Sequence, residues 1–72
     1  MSLKTGIYRH FKGNEYQVLG LAKHSETQED LVVYKPLYND SGLWVRPLEM
    51  FIEVVERNGV KQQRFAFIRE NV

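Results

Sequence analysis

The chain has 72 residues, no cysteine and a net charge of +1 at pH 7, with 43% hydrophobic and 26% charged residues. This length accommodates one domain, and the absence of cysteine excludes disulfide bonds and thiolate zinc sites. No stretch approaches the ~20 consecutive apolar residues of a membrane span, so we expect a soluble, cytoplasmic protein.

The charges are unevenly distributed along the chain. Residues 1–24 carry a net charge of +3, residues 25–56 carry −5 and residues 57–72 carry +3. If the two ends pair in space, one face of the domain would be basic and the opposite face acidic. The simpler interpretation is a set of solvated faces whose charges complement each other.

The first third of the chain predicts a β-hairpin. Residues 6–11 are rich in strand formers that alternate between two faces. Residues 12–14, Lys-Gly-Asn, follow as a turn, because glycine and asparagine accept positive φ. Residues 15–24 form a second, longer strand. Apolar residues change face near Gly20, which predicts a bulge or a bend at that glycine.

The middle of the chain predicts a second hairpin, which carries the single tryptophan. It follows a polar, acidic loop at residues 25–30. Two β-branched and aromatic runs, at residues 31–38 and 43–47, form its strands. They flank residues 39–42, Asn-Asp-Ser-Gly, which favour a turn. The second run ends at Pro47, which cannot donate a ladder hydrogen bond.

The last third predicts a third hairpin. Asn58-Gly59 stands between the β-rich residues 51–57 and 60–68, and this dipeptide is the strongest hairpin signal in the chain. The preceding residues 48–51 suit one 3₁₀ turn that closes a corner. A short helix over residues 48–55 is the alternative, since their apolar residues fit the helical spacing. The β-branched content favours a strand for the second half of that segment.

These elements predict an all-β fold. Five to six short strands with tight turns and a short 3₁₀ turn favour a small, single-domain antiparallel SH3-like barrel. An OB-like barrel is the alternative. We expect the barrel domain over residues 6–68, a disordered N-terminal lead at residues 1–5 and a C-terminal tail at residues 69–72.

Short motifs in a fixed order give the chain a family resemblance. They are Tyr-Arg-His-Phe-Lys-Gly at 8–13, Tyr-Gln-Val-Leu-Gly at 16–20, His-Ser-Glu-Thr at 24–27, Val-Val-Tyr at 32–34, Leu-Tyr at 37–38, Trp-Val-Arg-Pro at 44–47, Met-Phe at 50–51 and Arg-Phe at 64–65. The series resembles a bacterial domain-of-unknown-function family, number 1653. The resemblance implies a small SH3-like all-β domain, with no established activity, substrate or cofactor. The family usually has glycine where this chain has Asn39, which also accepts positive φ.

One candidate site is built on the two histidines. His10, His24 and Glu26 would supply a 2-His-1-carboxylate metal site if the first two strands bring the histidines to one face. A small hydrolase would instead use Ser25 or Thr27 as its nucleophile. The ordinary interpretation has the histidines packed or hydrogen-bonded, and has the polar side chains of the loop capping backbone N–H groups.

A second candidate site combines aromatic residues with arginine. Trp44 and Arg46 lie on one face of their strand and Val45 on the other, so both point outward if Val45 faces the core. Tryptophan and arginine dominate binding hot spots. The alternative has Trp44 as the main core residue and Arg46 paired with Glu49 or Glu53. Arg64 would pair with Glu53 or Glu56 across the last hairpin.

These patterns support three hypotheses of function. The first is a non-catalytic binding module, monomeric or a weak homodimer, that presents Tyr34, Trp44 and Arg46 to a peptide or protein. The second is nucleic-acid binding through the basic ends, at Arg9, Lys12, Lys23, Lys61, Arg64 and Arg69. The third is the metal-dependent or hydrolytic enzyme. No catalytic residue, metal ligand or cofactor is assigned, and the candidate ligand-binding residues are Tyr8, His10, His24, Glu26, Tyr34, Trp44, Arg46 and Arg64.

Overall fold

The computed structural model describes residues 3–70 and places them in seven β-strands and one helical turn. In chain order the elements are β1 (Gly6–His10), β2 (Glu15–Lys23), β3 (Asp30–Pro36), β4 (Trp44–Pro47), α1 (Leu48–Phe51), β5 (Val54–Arg57), β6 (Val60–Gln63) and β7 (Phe65–Arg69). Five strands form an antiparallel sheet in the order β4-β3-β2-β1-β7, and β5 and β6 form a separate hairpin. The predicted all-β, antiparallel class is confirmed, although the sheets are not closed into a barrel.

The three predicted hairpins are confirmed, and their turns follow from the residues that form them. Gly13 has a φ of 107° in the turn that pairs Arg9 with Glu15. In the last hairpin Asn58 has a φ of 54° and Gly59 a φ of 79°. Positive φ at both central residues matches the right-handed twist of the flanking strands. The central hairpin pairs β3 with β4.

The predicted irregularity near Gly20 is a β-bulge. Val18 pairs with Tyr34, whereas Gly20 pairs with Val33, so the register of β2 against β3 shifts between the two. The extra residue changes the face on which the following side chains of β2 lie. This explains the apolar residues on both faces of the predicted strand.

The core lies on one face of the five-stranded sheet, called the inner face here. It is mostly aromatic, and its buried members are Tyr8, Tyr16, Val18, Val32, Tyr34, Leu48, Phe51 and Phe65. Helix α1 closes this face, because Leu48 and Phe51 are buried while Glu49 and Met50 between them are exposed. Phe51 stacks on Phe65, with ring centroids 4.1 Å apart and planes inclined by 3°.

The strand count exceeds the predicted five to six because one long predicted strand is divided at Arg64. The Arg64 N–H donates to the Glu53 carbonyl, and the Arg64 carbonyl accepts from the Phe11 N–H. The chain therefore passes from the hairpin into the large sheet within one residue. Residues 48–51 form a turn of α-helix where the sequence predicted a 3₁₀ turn, so the alternative helix is present only in its first turn.

The two ends of the described chain lie against the domain. Leu3 packs on the core, and the Tyr8 hydroxyl donates to the Lys4 carbonyl at 2.6 Å. Strand β7 runs to Arg69, which pairs with Ile7. The predicted lead and tail also include residues 1–2 and 71–72, which lie outside the described residues. No helix among residues 3–70 has the length and hydropathy needed to cross a membrane.

Candidate functional site

Eight side chains gather on the inner face between the β4 edge and the junction of β1 with β7. We call them the aromatic–arginine cluster, and its members are His10, Tyr16, Tyr34, Tyr38, Trp44, Arg46, Arg64 and Phe65. The register of β4 against β3 positions two of them. Trp44 pairs with Tyr34, and Arg46 pairs with Val32. Because paired residues share a face, Trp44 and Arg46 lie on the side of the sheet that carries the core.

The exposure of Val45 decides which face of β4 is turned to the core, a point that the sequence left open. Val45 is 57% exposed, so it faces solvent and not the core. Trp44, on the opposite face, is 36% exposed. It is thus neither fully presented to solvent nor the main core residue, and the fully buried aromatic side chain is Phe51. The indole packs on the rim of the core with one part open to solvent.

Tyr16 lies at the centre of the aromatic part of the cluster. Its ring centroid is 5.5 Å from Tyr34, 6.1 Å from Trp44 and 5.5 Å from Phe65. Its hydroxyl lies 3.4 Å from that of Tyr38. Burial, followed by the hydrogen bond with Tyr38, raises the pKa of Tyr16 to about 12. The rings form an uncharged aromatic surface.

Arg46 lies against these aromatic rings and has no carboxylate partner among the described residues. Its Nε donates to the Tyr34 hydroxyl at 3.4 Å, and its guanidinium carbon lies 5.7 Å from the centroid of the Phe65 ring. Neither Glu49 nor Glu53 forms an ion pair with it, in contrast to the alternative interpretation of the sequence; Glu53 instead binds Arg64. Among residues 3–70, its contacts are therefore a hydroxyl and an aromatic face, which leave its charge uncompensated.

Arg64 is the second arginine of the cluster, and its predicted pairing with Glu53 is confirmed. Its Nη2 donates to Glu53 Oε1 at 2.5 Å, although the partner carboxylate is half exposed. Its Nε is buried and has no hydrogen-bond partner in the structure. A bend at Arg64 separates β6 from β7, and the Arg64 guanidinium lies close enough to His10 to lower the pKa of that imidazole.

His10 completes the cluster on the β1 side. Its ring centroid is 4.9 Å from Phe65, in an edge-to-face arrangement. Its Nδ1 accepts a hydrogen bond from the Lys12 N–H at 3.1 Å. Burial lowers the pKa of His10, and the positive charges of Arg64, Arg46 and Lys12 lower it further. The Lys12 hydrogen bond acts in the same direction, because the imidazolium has no acceptor nitrogen.

The lowered pKa of His10 predicts a loss of stability in mild acid. The unfolded chain takes up a proton at His10 more readily than the folded chain does, so this contribution is fully present above the ordinary histidine pKa of ~6.5 and is lost as the pH falls through the folded-state value. We expect the free energy of unfolding, measured with urea, to fall between pH 7 and pH 5. The fall should be smaller in His10→Gln. An identical fall in both proteins would contradict this assignment.

His24 and Glu26 lie apart from the cluster, in the loop after β2. His24 Nδ1 accepts from the backbone N–H groups of Glu26 at 3.1 Å and Thr27 at 3.3 Å. The histidine therefore holds its own loop, as the ordinary interpretation proposed. Tyr8, another candidate, is buried between Phe51 and Phe67 and is a core residue.

The two histidines do not share a site. His10 follows Arg9, whose partner on β2 is Glu15, whereas His24 follows the far end of β2. Nine residue steps of a strand separate Glu15 from His24, which is about 30 Å. Within the described range, no group of three histidine or acidic residues is arranged to hold a metal ion. The prediction that His10, His24 and Glu26 share one centre is therefore wrong.

Sequence reasoning missed Tyr16 and Phe65 as members of the cluster. Tyr16 could have been found from the first turn, because pairing across residues 12–14 places Tyr8 opposite Tyr16. Phe65 had no such local signal. It reaches His10 only because β7 pairs with β1, at the other end of the chain.

Comparison with known proteins identifies relatives of this chain. Residues 6–67 match a family described as "Protein of unknown function (DUF1653)". The crystal structure of a protein belonging to DUF1653 from Bordetella bronchiseptica is similar, with a TM-score of 0.87 and 39% sequence identity over 97% of this chain and 92% of that chain. A comparison with curated proteins found no match.

Proposed function

The chain belongs to the DUF1653 family, and from the geometry of the aromatic–arginine cluster we propose that it is a non-catalytic binding module whose cluster takes a peptide or protein partner. In this proposal the protein acts in the cytoplasm, as a monomer or a weak homodimer. The cluster binds the partner, and the large sheet holds the cluster in place.

The observation that carries the proposal is a partly open aromatic surface beside an arginine without a carboxylate partner. Trp44 is 36% exposed and Tyr38 is 51% exposed, while Tyr16 and Tyr34 beneath them are buried. Rings fixed in this way lose little conformational entropy when a ligand covers them. Tryptophan, tyrosine and arginine are also the residues that contribute most to binding hot spots.

Binding rather than catalysis fits the state of the histidine in the cluster. The Nδ1 of His10 already accepts from the Lys12 N–H. A general base needs a free nitrogen within reach of a substrate proton. The proposal therefore gives His10 a role in packing against Phe65 and not in proton transfer.

Nucleic-acid binding ranks second because most of the basic side chains predicted for it are paired with carboxylates. Four of the six have such a partner: Arg9 and Arg69 with Glu15, Lys23 with Asp30, and Arg64 with Glu53. Each pair would have to be broken or shared before the cation neutralised a phosphate.

A peptide selection tests the proposed function. Random peptides displayed on phage should yield binders of the wild-type domain. Trp44→Ala should weaken these binders about 30-fold or more, the loss typical of a hot-spot residue. The control is Val45→Ala, on the same strand but on the solvent-facing side, which should leave affinity unchanged.

The result that contradicts the proposal is equal affinity of the wild type and Trp44→Ala for every selected peptide. Circular dichroism must show that the variant is folded for that comparison to count. A selection that yields no binder would also count against the proposal.

A further inference from the structure

We infer that the aromatic–arginine cluster recognises a carboxylate carried beside an aromatic or aliphatic side chain, with Arg46 as the anchor. The partner is therefore a peptide that ends in a free carboxylate on an apolar residue. This inference rests on the proposed function and names the chemistry of its ligand. Charge, hydrogen-bonding capacity and spacing support it.

The charge at the cluster favours an anion. Arg46, Arg64 and Lys12 are all close enough to His10 to lower its pKa. Among the ion pairs of the described residues, one brings a carboxylate to the cluster. It is the pair in which Glu53 binds Arg64. The cluster thus has more positive than negative charge before a ligand arrives.

Arg46 retains the hydrogen-bonding groups that a carboxylate needs. Its Nε donates to Tyr34, while its two terminal nitrogens have no partner among the described residues. A guanidinium group binds a carboxylate through two parallel N–H bonds, which is the strongest form of this pairing. The contacts with Tyr34 and Phe65 hold the guanidinium group against the rings, so little freedom is lost on binding.

The neighbouring arginine already shows this chemistry within the chain. Arg64 binds the carboxylate of Glu53 at 2.5 Å. Arg46 also lies close enough to His10 to lower its pKa, and it presents the same group without an acidic partner among the described residues. A carboxylate from a partner would give Arg46 the interaction that Glu53 gives Arg64.

The spacing of Trp44 and Arg46 selects a ligand with an apolar group beside its carboxylate. The two residues are separated by one position on β4 and share a face, so their Cα atoms lie about 7 Å apart. A peptide that ends in phenylalanine or leucine carries an apolar side chain and a carboxylate on one residue, which suits two side chains that are neighbours on one face of a strand. A phosphate backbone fits less well, because repeated negative charges would approach Glu53.

Matched peptides test the inference through the fluorescence of Trp44, the single tryptophan. The probes are acetyl-Gly-Gly-Phe with a free carboxylate and the same peptide as its amide. For the wild type, the free acid should bind about tenfold or more tightly than the amide, the usual gain from a charged hydrogen-bonded pair. Arg46→Met should abolish this preference, and Arg46→Lys should keep part of it.

The control is Lys35→Met, which removes one positive charge from the opposite face, where Lys35 pairs with Gln17. It should leave the preference intact. Equal binding of acid and amide by the wild type overturns the inference, as does an unchanged preference in Arg46→Met. A response to neither probe overturns it too.

Two further outcomes separate this inference from the proposed function. If peptides from the phage selection bind through Trp44 but show no preference for a carboxylate, the proposed function stands and the inference is wrong. If a single-stranded oligonucleotide or inorganic phosphate displaces acetyl-Gly-Gly-Phe from the wild-type domain more strongly than acetate does, phosphate is the ligand. The inference is then wrong.

Discussion

Phe51→Ala is expected to leave the domain largely unfolded at 25 °C. The side chain is 1% exposed, stacks on Phe65 and meets Tyr8 and Tyr34 edge-to-face, with ring centroids 5.4 Å and 5.5 Å away. Truncation of a buried phenylalanine to alanine costs about 3–5 kcal/mol. A small domain with a single core has a net stability of ~3–5 kcal/mol. The loss therefore equals most of the stability of the fold.

Circular dichroism at increasing temperature measures this effect. Met50→Ala is the control, since Met50 lies in the same helical turn but is 45% exposed. It should change the free energy of unfolding by less than about 0.5 kcal/mol. A Phe51→Ala protein that melts within a few degrees of the wild type would show that the inner face does not depend on this stack.

Gly6→Ala should have the second largest effect, because Gly6 lies where the two ends of the chain meet. An added Cβ would lie 2.5 Å from the Arg69 carbonyl oxygen and 2.8 Å from Cε1 of Phe67. The φ of 148° at this position is also one that side-chain-bearing residues rarely adopt. Relief requires β7 to move away from β1, so we expect a loss of at least about 2 kcal/mol.

Gly13→Ala is the matched control for this substitution. Gly13 also has a positive φ, of 107°, but nothing lies within 4 Å of an added Cβ. The decrease in the free energy of unfolding of Gly13→Ala, measured with urea, should therefore reflect backbone strain alone. It should be smaller than the decrease for Gly6→Ala. Equal losses for the two variants would show that close packing between β1 and β7 contributes nothing.

The hairpins could be predicted from the sequence because each depends on a few adjacent residues. Asn58-Gly59 and the glycine of the first turn set their own backbone angles, and Gly20 marked the bulge. Division of the last predicted strand at Arg64 could not be foreseen. It depends on hydrogen bonds with Glu53 and Phe11, which are distant in sequence.

The candidate site was predictable only where it depends on residues that are adjacent in sequence. Alternation along one strand correctly placed Trp44 and Arg46 on a common face. Which face of β4 is buried depends on β3 and on the helical turn, so the sequence left open whether Val45 or Trp44 faces the core. His10 joins the arginines only through the pairing of β1 with β7.

The central claim is that the aromatic–arginine cluster binds a peptide, and NMR titration of the labelled domain tests it most directly. A selected peptide is added at two salt concentrations while the backbone amide, indole and arginine Nε–H signals are followed. The account predicts shifts centred on the Trp44 indole and the Arg46 Nε–H, with a smaller response at Arg64. Shifts confined to the opposite face of the sheet, around Val33 and Val45, would contradict it.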